Sequence, residues 1–230
     1  MSVELTDSET LKNLMRAFAG ESQARNRYTF AASLCKQQSL PVLEAVFQFT
    51  ANQEKEHAEI FYNHMKPAAG RTVSVDGGYP VDLAASALQL LRRAQHNEYE
   101  EFDPVYPAFA ETARSEGFPE IAASFQRIAA IEQTHGNRFG YLADLLEREK
   151  LFVSDAACGW MCLNCGHIQE SLEAPETCPV CGHDRGFFIR LESLSPELRT
   201  AILARNVPLR TLRDLIGVLE DLVTEAEATP

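Results

Sequence analysis

The chain has 230 residues, of which 45% are hydrophobic, enough to bury the core of one domain or of one domain with a small attached module. Its formal net charge of -12 argues against a nucleic-acid partner, because binding to a phosphate backbone depends on clustered Lys and Arg side chains. The first ten residues lack the basic and apolar segments of a secretion signal, and no apolar run approaches the roughly 18 residues of a membrane span. We therefore expect a cytoplasmic protein that binds neither nucleic acid nor membranes.

Four long amphipathic segments predict four helices. Pro41 suits the first turn of the second helix, and a run rich in Gly and Pro at 67–81 separates the second helix from the third. A connection of about 15 residues fits the crossover between two antiparallel helix pairs, as in ferritin-like bundles. The expected bounds are Thr6 to Gln38, Pro41 to Met65, a cap at Asp82 to Gly117, and Pro119 to Lys150.

The third helix carries an irregularity at Asp103-Pro104, and Pro107 follows. Each proline removes an intrahelical hydrogen bond and crowds the preceding turn, so we expect a kink or a break. Two interpretations remain open. The helix either bends around its neighbours, or its loosened turn leaves room beside Glu101.

Acidic and histidine side chains fall on the apolar faces of all four predicted helices. Two helices each carry a Glu-x-x-His motif, and the other two each carry a single Glu at a core position. An unpaired buried charge costs several kcal/mol, whereas two divalent cations would neutralise four carboxylates, with imidazoles as further ligands. This ligand set is typical of the di-iron or di-manganese site of a ferritin-like four-helix bundle. Its members are Glu21, Glu54, His57, Glu98, Glu132 and His135.

The spacing of these acids indicates an internal repeat. Glu21 and Glu98 are separated by 77 positions (98 − 21), and Glu54 and Glu132 by 78 positions (132 − 54). The first two helices therefore look like a copy of the last two.

The composition changes between Ser154 and Arg190, where Gly, Pro and Cys become frequent. Two Cys-x-x-Cys-Gly motifs supply four thiolates, a set that is strongly typical of a tetrahedral metal site, and a segment this short could hardly fold without the metal. The motif alone favours zinc. Its cysteines are Cys162, Cys165, Cys178 and Cys181, whereas Cys35 and Cys158 are expected to bind no metal.

We therefore expect a mainly α-helical chain with three parts. Residues 1–152 would form the four-helix bundle, 153–190 the four-cysteine domain, and 191–230 a helical extension. The apolar face predicted in the extension would pack on its own subunit or on a dimer partner.

The combination of these motifs resembles the rubrerythrin family over about residues 5–190. The resemblance implies a ferritin-like bundle with a rubredoxin-like domain, and it changes the expected metal of the four-cysteine site from zinc to iron, with zinc still possible. Its motifs here are Glu21 to Tyr28 (Glu-Ser-Gln-Ala-Arg-Asn-Arg-Tyr), Glu54-x-x-His57, Glu98-x-x-Glu101, Tyr106-Pro107, Glu132-x-x-His135 and the two Cys-x-x-Cys-Gly motifs.

The resemblance also implies an activity, the reduction of hydrogen peroxide to water at a non-haem di-iron centre, which protects cells from oxidants. Electrons would come from a reductase or a rubredoxin-type carrier through the four-cysteine iron. A homodimer is implied, in which each rubredoxin-like domain serves the di-iron site of the partner subunit.

Roles for single residues follow from the same resemblance. It implies that Glu54 and Glu132 bridge two irons, that Glu21 and Glu98 are terminal ligands, and that His135 stays on one iron. The other iron would bind His57 when reduced and Glu101 when oxidised, and Tyr28 and Tyr106 would donate hydrogen bonds to the carboxylates. From its position one turn after Glu21, Arg25 is expected to brace that carboxylate, with a surface salt bridge as the alternative.

Two other functions compete with this interpretation. A ferroxidase that detoxifies or stores iron would use the same bundle ligands, although it has little need of an attached one-electron carrier. An interaction protein with a structural zinc ribbon and a structural di-metal core would be colourless.

Overall fold

The structure is a computed structural model, and it describes residues 3–191. The mainly helical fold expected from the sequence, a bundle followed by a small four-cysteine domain, is confirmed. From residue 192 onward, the predicted helical extension lies outside the described residues. The helices are α1 (Glu9–Gln37), α2 (Pro41–His64), α3 (Ala87–Glu100), α4 (Tyr106–Glu116) and α5 (Pro119–Glu147).

Helices α3 and α4 are the two halves of the third predicted helix. Helix α1 packs along α2, whereas α3 and α4 both pack on α5, so the chain forms two antiparallel helix pairs. A π-helical turn, Glu101–Val105, joins α3 to α4. Within this turn Asp103 has extended backbone angles (φ -156°, ψ 117°), so the helix is broken rather than smoothly bent.

The helix ends follow the expected proline and glycine positions, but two caps differ from the prediction. Pro41 and Pro119 stand in the first turns of α2 and α5, and Gly117 ends α4 with a left-handed φ of 91°. Ser8, not Thr6, caps α1, because residues 5–7 already form a separate 3-10 turn. Ser86, not Asp82, caps α3 by accepting a hydrogen bond from the N–H of Gln89.

Two apolar clusters fill the bundle, one on each side of a polar layer. Along α2, Phe47 belongs to the first cluster and Phe61 to the second, and Glu54 and His57 lie between them. The polar layer therefore has apolar side chains above and below it, which shield its charges from water on these two sides.

The four-cysteine domain is a small antiparallel sheet in the order β2-β1-β3. Its strands are β1 (Val153–Cys162), β2 (Ile168–Glu173) and β3 (Phe188–Arg190). Trp160 is fully buried at its centre and donates a hydrogen bond from Nε1 to the carbonyl of Ser171 at 3.1 Å. The domain packs against the α1–α2 turn, where a Cβ on Gly186 would lie only 2.6 Å from the carbonyl oxygen of Ser39. Within residues 3–191, no helix has the length and hydropathy that a membrane-spanning segment requires.

Candidate metal centres

The bundle brings six of the predicted ligands together in two overlapping groups, with one potential ligand atom from each residue within 4.8 Å of the others. All six side chains are buried, and Glu21, Glu132 and His135 have no exposed surface. The first group is Glu21, Glu54, His57 and Glu132, and the second is Glu54, Glu98, Glu132 and His135.

His57 faces the carboxylates of the first group through Nδ1. This atom lies 2.8 Å from Oε1 of Glu132, 3.0 Å from Oε2 of Glu54 and 3.7 Å from Oε2 of Glu21. The two histidine-bearing helices thus meet at one point, although α2 and α5 make few other contacts.

His135 repeats this arrangement in the second group. Its Nδ1 lies 2.8 Å from Oε2 of Glu132, 3.1 Å from Oε1 of Glu54 and 3.6 Å from Oε2 of Glu98. Each of the two shared glutamates therefore directs one oxygen toward each histidine. That is the arrangement required of a carboxylate that bridges two metal ions.

The site's buried polar atoms fit a pair of cations. Several buried carboxylate oxygens of the described residues accept no well-directed hydrogen bond, although a histidine Nδ1 lies close to some of them. They are Oε2 of Glu21, Oε1 of Glu54, Oε2 of Glu98 and both oxygens of Glu132. Buried oxygens without partners are costly, and oxygen and imidazole donors in this ratio suit iron or manganese. These residues and the four cysteines described below therefore supply sites for two iron ions and for one further metal ion.

The pKa values of the site show how strongly its charges interact. Burial, together with repulsion from Glu54, raises the pKa of Glu98 to about 8, and burial with repulsion from Glu132 raises the pKa of Glu21 well above its ordinary value. Burial also disfavours the charged form of Glu54, but the adjacent His135 and His57 hold its pKa below the ordinary range. Divalent cations would stabilise the same carboxylate charges and replace the protons that the group otherwise requires.

The two tyrosines expected beside the site contact the two outer glutamates. The hydroxyl of Tyr28 donates a hydrogen bond to Glu98, and the hydroxyl of Tyr106 donates one to Glu21. Burial raises the pKa of both phenols well above the ordinary value, so both remain protonated donors at neutral pH. Such bonds fix the orientation of ligand carboxylates.

Glu101, the seventh bundle ligand named from the sequence, lies outside both groups. It opens the π-helical turn and lines a cavity of about 840 Å³ together with Pro104 and Tyr106. Of the two interpretations of the proline break, the structure thus supports the one in which the turn leaves room beside Glu101. Burial and repulsion from Glu21 raise the pKa of Glu101 well above its ordinary value.

The expectation that Arg25 braces Glu21 needs correction. Arg25 is exposed, as its fixed charge favours solvent, whereas Glu21 is fully buried and contacts Tyr106 instead. The partly buried cation near the site is Arg27, which pairs with Asp82 and lies over the ring of Tyr28 at 5.5 Å from the ring centroid. No local pattern indicates this pair, since its two members are 55 positions apart.

The four motif cysteines also converge. Sγ of Cys162 lies 3.7 Å from Sγ of Cys181, and Sγ of Cys165 lies 3.6 Å from Sγ of Cys178. A tetrahedral site with metal–sulfur bonds of about 2.3 Å requires sulfur–sulfur distances of about 3.8 Å, so the geometry fits a single ion.

The surroundings of the cysteines shift their pKa values in opposite directions. The N–H of His183 lowers the pKa of Cys181 to about 5, whereas burial raises the pKa of Cys165 to about 12. Cys35 and Cys158 are fully buried, and neither belongs to the group of four.

Comparison with known proteins identifies both parts of the chain. The rubrerythrin family model matches residues 12–143, and the model of the rubrerythrin rubredoxin-like domain matches residues 160–189. A rubrerythrin from Clostridium perfringens is 43% identical over 185 residues, which are 80% of this chain and 95% of that protein.

Solved structures extend the comparison. Nigerythrin in a mixed-valent state aligns with a TM-score of 0.54 at 26% identity, over 83% of this chain and 88% of that one. A bacterioferritin of Desulfovibrio desulfuricans aligns with a TM-score of 0.55 at 21% identity, over 62% of this chain and 82% of that one, which supports the ferritin-like fold alone. With both domains matched and a relative this similar over most of its length, the chain belongs to the rubrerythrin family, a family of iron-binding oxidoreductases.

Proposed function

We propose that this protein is a peroxidase that reduces hydrogen peroxide to water at the bundle's di-iron site, and so protects a cytoplasm against oxidants. The observation that carries the proposal is the four-cysteine site on the same chain as the di-metal site. Thiolate-bound iron carries one electron at a time, and reduction of a peroxide consumes two. A protein that only stored or oxidised iron would have little use for such a carrier.

The geometry supports the following proposed ligand roles. Glu54 and Glu132 would bridge the two metal positions, because each presents one oxygen to each histidine. Glu21 and Glu98 would be terminal ligands, and His135 would remain on the second position. Two ferrous ions held there would supply the two electrons, one each.

His57 and Glu101 would be alternative ligands of the first metal position. In the structure His57 belongs to the first group, and Glu101 stands just outside it at the edge of the cavity. An anionic oxygen suits the harder ferric ion, whereas imidazole suits the ferrous ion. The broken turn at Asp103-Pro104 supports such an exchange, since the non-helical backbone of Asp103 lies only two residues after Glu101.

Tyr28 and Tyr106 would hold Glu98 and Glu21 in place while the charge of the site changes. Their hydroxyls are buried donors, so a carboxylate that rotated away would leave an unpaired O–H behind. The apolar clusters limit the access of water to the same layer from these two sides.

Electron delivery would use a second subunit. Within one chain the four-cysteine domain (153–190) packs on the α1–α2 turn, and Glu54 is about 20 Å along α2 from Pro41 at 1.5 Å per residue. Electron transfer slows steeply with distance. A homodimer in which each domain serves the partner's di-iron site would shorten this path, and an external reductase or rubredoxin-type carrier would reload the four-cysteine iron.

Stopped-flow mixing tests the proposal. Fully reduced protein is mixed anaerobically with hydrogen peroxide and, separately, with dissolved oxygen, and oxidation is followed by the visible absorption of both iron centres. The proposal predicts markedly faster oxidation by peroxide, and loss of that fast phase in Glu132→Gln. Faster oxidation by oxygen would establish the ferroxidase alternative, and a colourless iron-free protein would indicate a structural zinc protein.

A further inference from the structure

A cavity of about 840 Å³ lies between α1, the π-helical turn and the crossover loop, which is the segment 69–86 that leads from α2 to α3. Its volume falls within the range of about 300–1,000 Å³ that is typical of pockets for organic ligands. Hydrogen peroxide is only slightly larger than water, whose share of liquid volume is about 30 Å³. The proposed substrate therefore accounts for little of this space.

The inner end of the cavity adjoins the di-iron site. Glu101 and Tyr106 both line it, and the hydroxyl of Tyr106 donates to the buried Glu21. Gly20, the residue before Glu21, also forms part of the wall, and a Cβ at this position would lie 4.0 Å from Oε1 of Glu101. A molecule in the cavity can thus approach the site from the side of the proposed mobile ligand.

The outer part of the cavity has largely apolar walls. Val105, Ala108 and Phe109 contribute from α4 and the turn before it, and Tyr79 contributes from the crossover loop. These groups offer contact area to a hydrocarbon group but no anchor for a charged one.

Hydrogen bonds of Arg16 hold the crossover loop over the cavity. The guanidinium donates to Oδ1 of Asp76 at 2.8 Å and to its carbonyl at 3.1 Å, and the hydroxyl of Tyr79 donates to the carbonyl of Arg16 at 2.9 Å. Among the described residues that line the cavity, Arg16 alone is cationic, and Glu9 and Asn13 also accept hydrogen bonds from it. Its charge is therefore already satisfied. Because Asp76, Glu100 and Glu101 also line the cavity, the cavity favours a ligand that carries no negative charge.

We propose that this cavity binds the organic group of a neutral alkyl or aryl hydroperoxide, so that organic hydroperoxides as well as hydrogen peroxide reach the di-iron site. The inference rests on the proposed peroxidase function and specifies its substrate class. The hydroperoxide group would lie beside Glu101 and Tyr106, and the organic group would lie against Val105, Ala108 and Phe109.

The reaction is balanced as a two-electron reduction. The O–O bond of ROOH breaks, two electrons enter from the reduced di-iron site, and two protons are taken up, so that ROH and water form. The organic group keeps its carbon–oxygen bond and leaves as the alcohol.

Narrowing the cavity at a lining residue that is not one of the proposed metal ligands tests the proposal. Ala108→Phe places a ring in the outer part, and Ala130→Phe makes the same change at an exposed position of α5 that does not line the cavity. The ratio kcat/KM is measured for hydrogen peroxide and for cumene hydroperoxide. We expect Ala108→Phe to lower the cumene hydroperoxide value about tenfold while hydrogen peroxide changes less than about twofold, and Ala130→Phe to change neither.

A binding measurement separates the subsite from the activity. Ligand-observed NMR is used to titrate the as-isolated protein with 2-phenyl-2-propanol, the alcohol formed from cumene hydroperoxide. Wild type and Ala130→Phe should bind it, and Ala108→Phe should bind it about tenfold more weakly. If the wild type does not bind the alcohol, or Ala108→Phe binds it equally well, the subsite is wrong even when hydrogen peroxide is reduced. If the alcohol binds as expected but neither peroxide reacts, the proposed function fails while the subsite stands.

Discussion

The imidazole rings of His57 and His135 stack nearly parallel, with their centroids 5.6 Å apart and 15° between their planes. Each ring directs Nδ1 at the same two carboxylates, Glu54 and Glu132, from opposite sides. The Glu-x-x-His motif that the sequence repeats on two helices thus becomes an approximately two-fold arrangement of donors. Such a layout creates two metal positions at once, because the shared carboxylates belong to both.

Ligand substitutions should affect metal content differently at His57 and Glu132. Glu132 belongs to both groups, so Glu132→Ala should remove both bundle irons, whereas His57→Ala should keep the di-iron centre and slow turnover. Iron per chain is counted by mass spectrometry after reconstitution. Glu120→Ala, an exposed change on the same helix as Glu132, is the control and should leave the iron content unchanged. Equal iron content in Glu132→Ala and His57→Ala would contradict the ligand assignment.

Removal of the Tyr106 hydroxyl should weaken the fold without emptying the site. Tyr106→Phe deletes a buried hydrogen bond to Glu21, and bonds to charged groups contribute about 1.5–3 kcal/mol. Urea unfolding should show a loss of that order, and the visible spectrum of the di-iron site should shift as Glu21 reorients. Tyr62→Phe, which changes an exposed tyrosine, should alter neither quantity. A Tyr106→Phe protein with wild-type stability and spectrum would exclude the positioning role.

A pH-dependent contribution to stability is expected from Glu116. Its carboxylate accepts hydrogen bonds from the N–H groups of Glu9 and Thr10 at 3.0 and 2.8 Å, and so it ties the end of α4 to the start of α1. Burial opposes the charge of Glu116, but the hydroxyl of Thr10, which also donates to this carboxylate, and the two N–H groups lower its pKa below the ordinary value of 4.5. A lowered folded-state pKa means that the stabilisation is present above pH 4.5 and is lost as the pH falls through the folded-state value.

The variant Glu116→Gln isolates this contribution. At pH 7 it should be less stable than wild type by about 1 kcal/mol, and the difference should shrink as the pH falls below the ordinary Glu value. Chemical unfolding of both proteins across the pH range measures it. A difference that stays constant into the acid range would show that charge is not the cause.

Electron transfer between subunits predicts complementation. Cys162→Ser impairs the four-cysteine site and Glu132→Gln impairs the di-iron site, so each homodimer should be inactive as a peroxidase with an external reductant. After the two proteins exchange subunits, a mixed dimer carries one intact centre on each chain, and activity should return. Persistent inactivity, with mixed dimers shown to be present, would mean that each domain serves only its own chain.

Much of the bundle was predictable because the residues that begin and end its helices act locally. Pro41, Gly117 and Pro119 set helix boundaries that the structure reproduces closely, since proline and glycine act through their own backbone geometry. The buried glutamates and histidines were predictable for a similar reason, because helical periodicity places them among apolar neighbours. The sequence could not predict whether Thr6 or Ser8 caps α1, because either residue type caps well. The preceding 3-10 turn determines that the cap is Ser8.

Features that depend on distant contacts escaped sequence analysis. Asp82 was expected to cap a helix, but it accepts hydrogen bonds from Arg27 and Asn97 instead. The position of Tyr79 over Gly20 could not be predicted from the sequence, since it depends on where Arg16 holds the crossover loop. The cavity beside Glu101 exists only once these long-range contacts have formed.

The count and type of bound iron test the central claim most directly. Mössbauer spectra of the 57Fe-loaded protein resolve iron in oxygen and nitrogen coordination from iron bound to four sulfurs. Three donor groups, two of them sharing Glu54 and Glu132, predict three irons per chain, with two parts in a coupled di-iron site and one part in a four-sulfur site. A spectrum that contains only four-sulfur iron, at one ion per chain, would contradict the account.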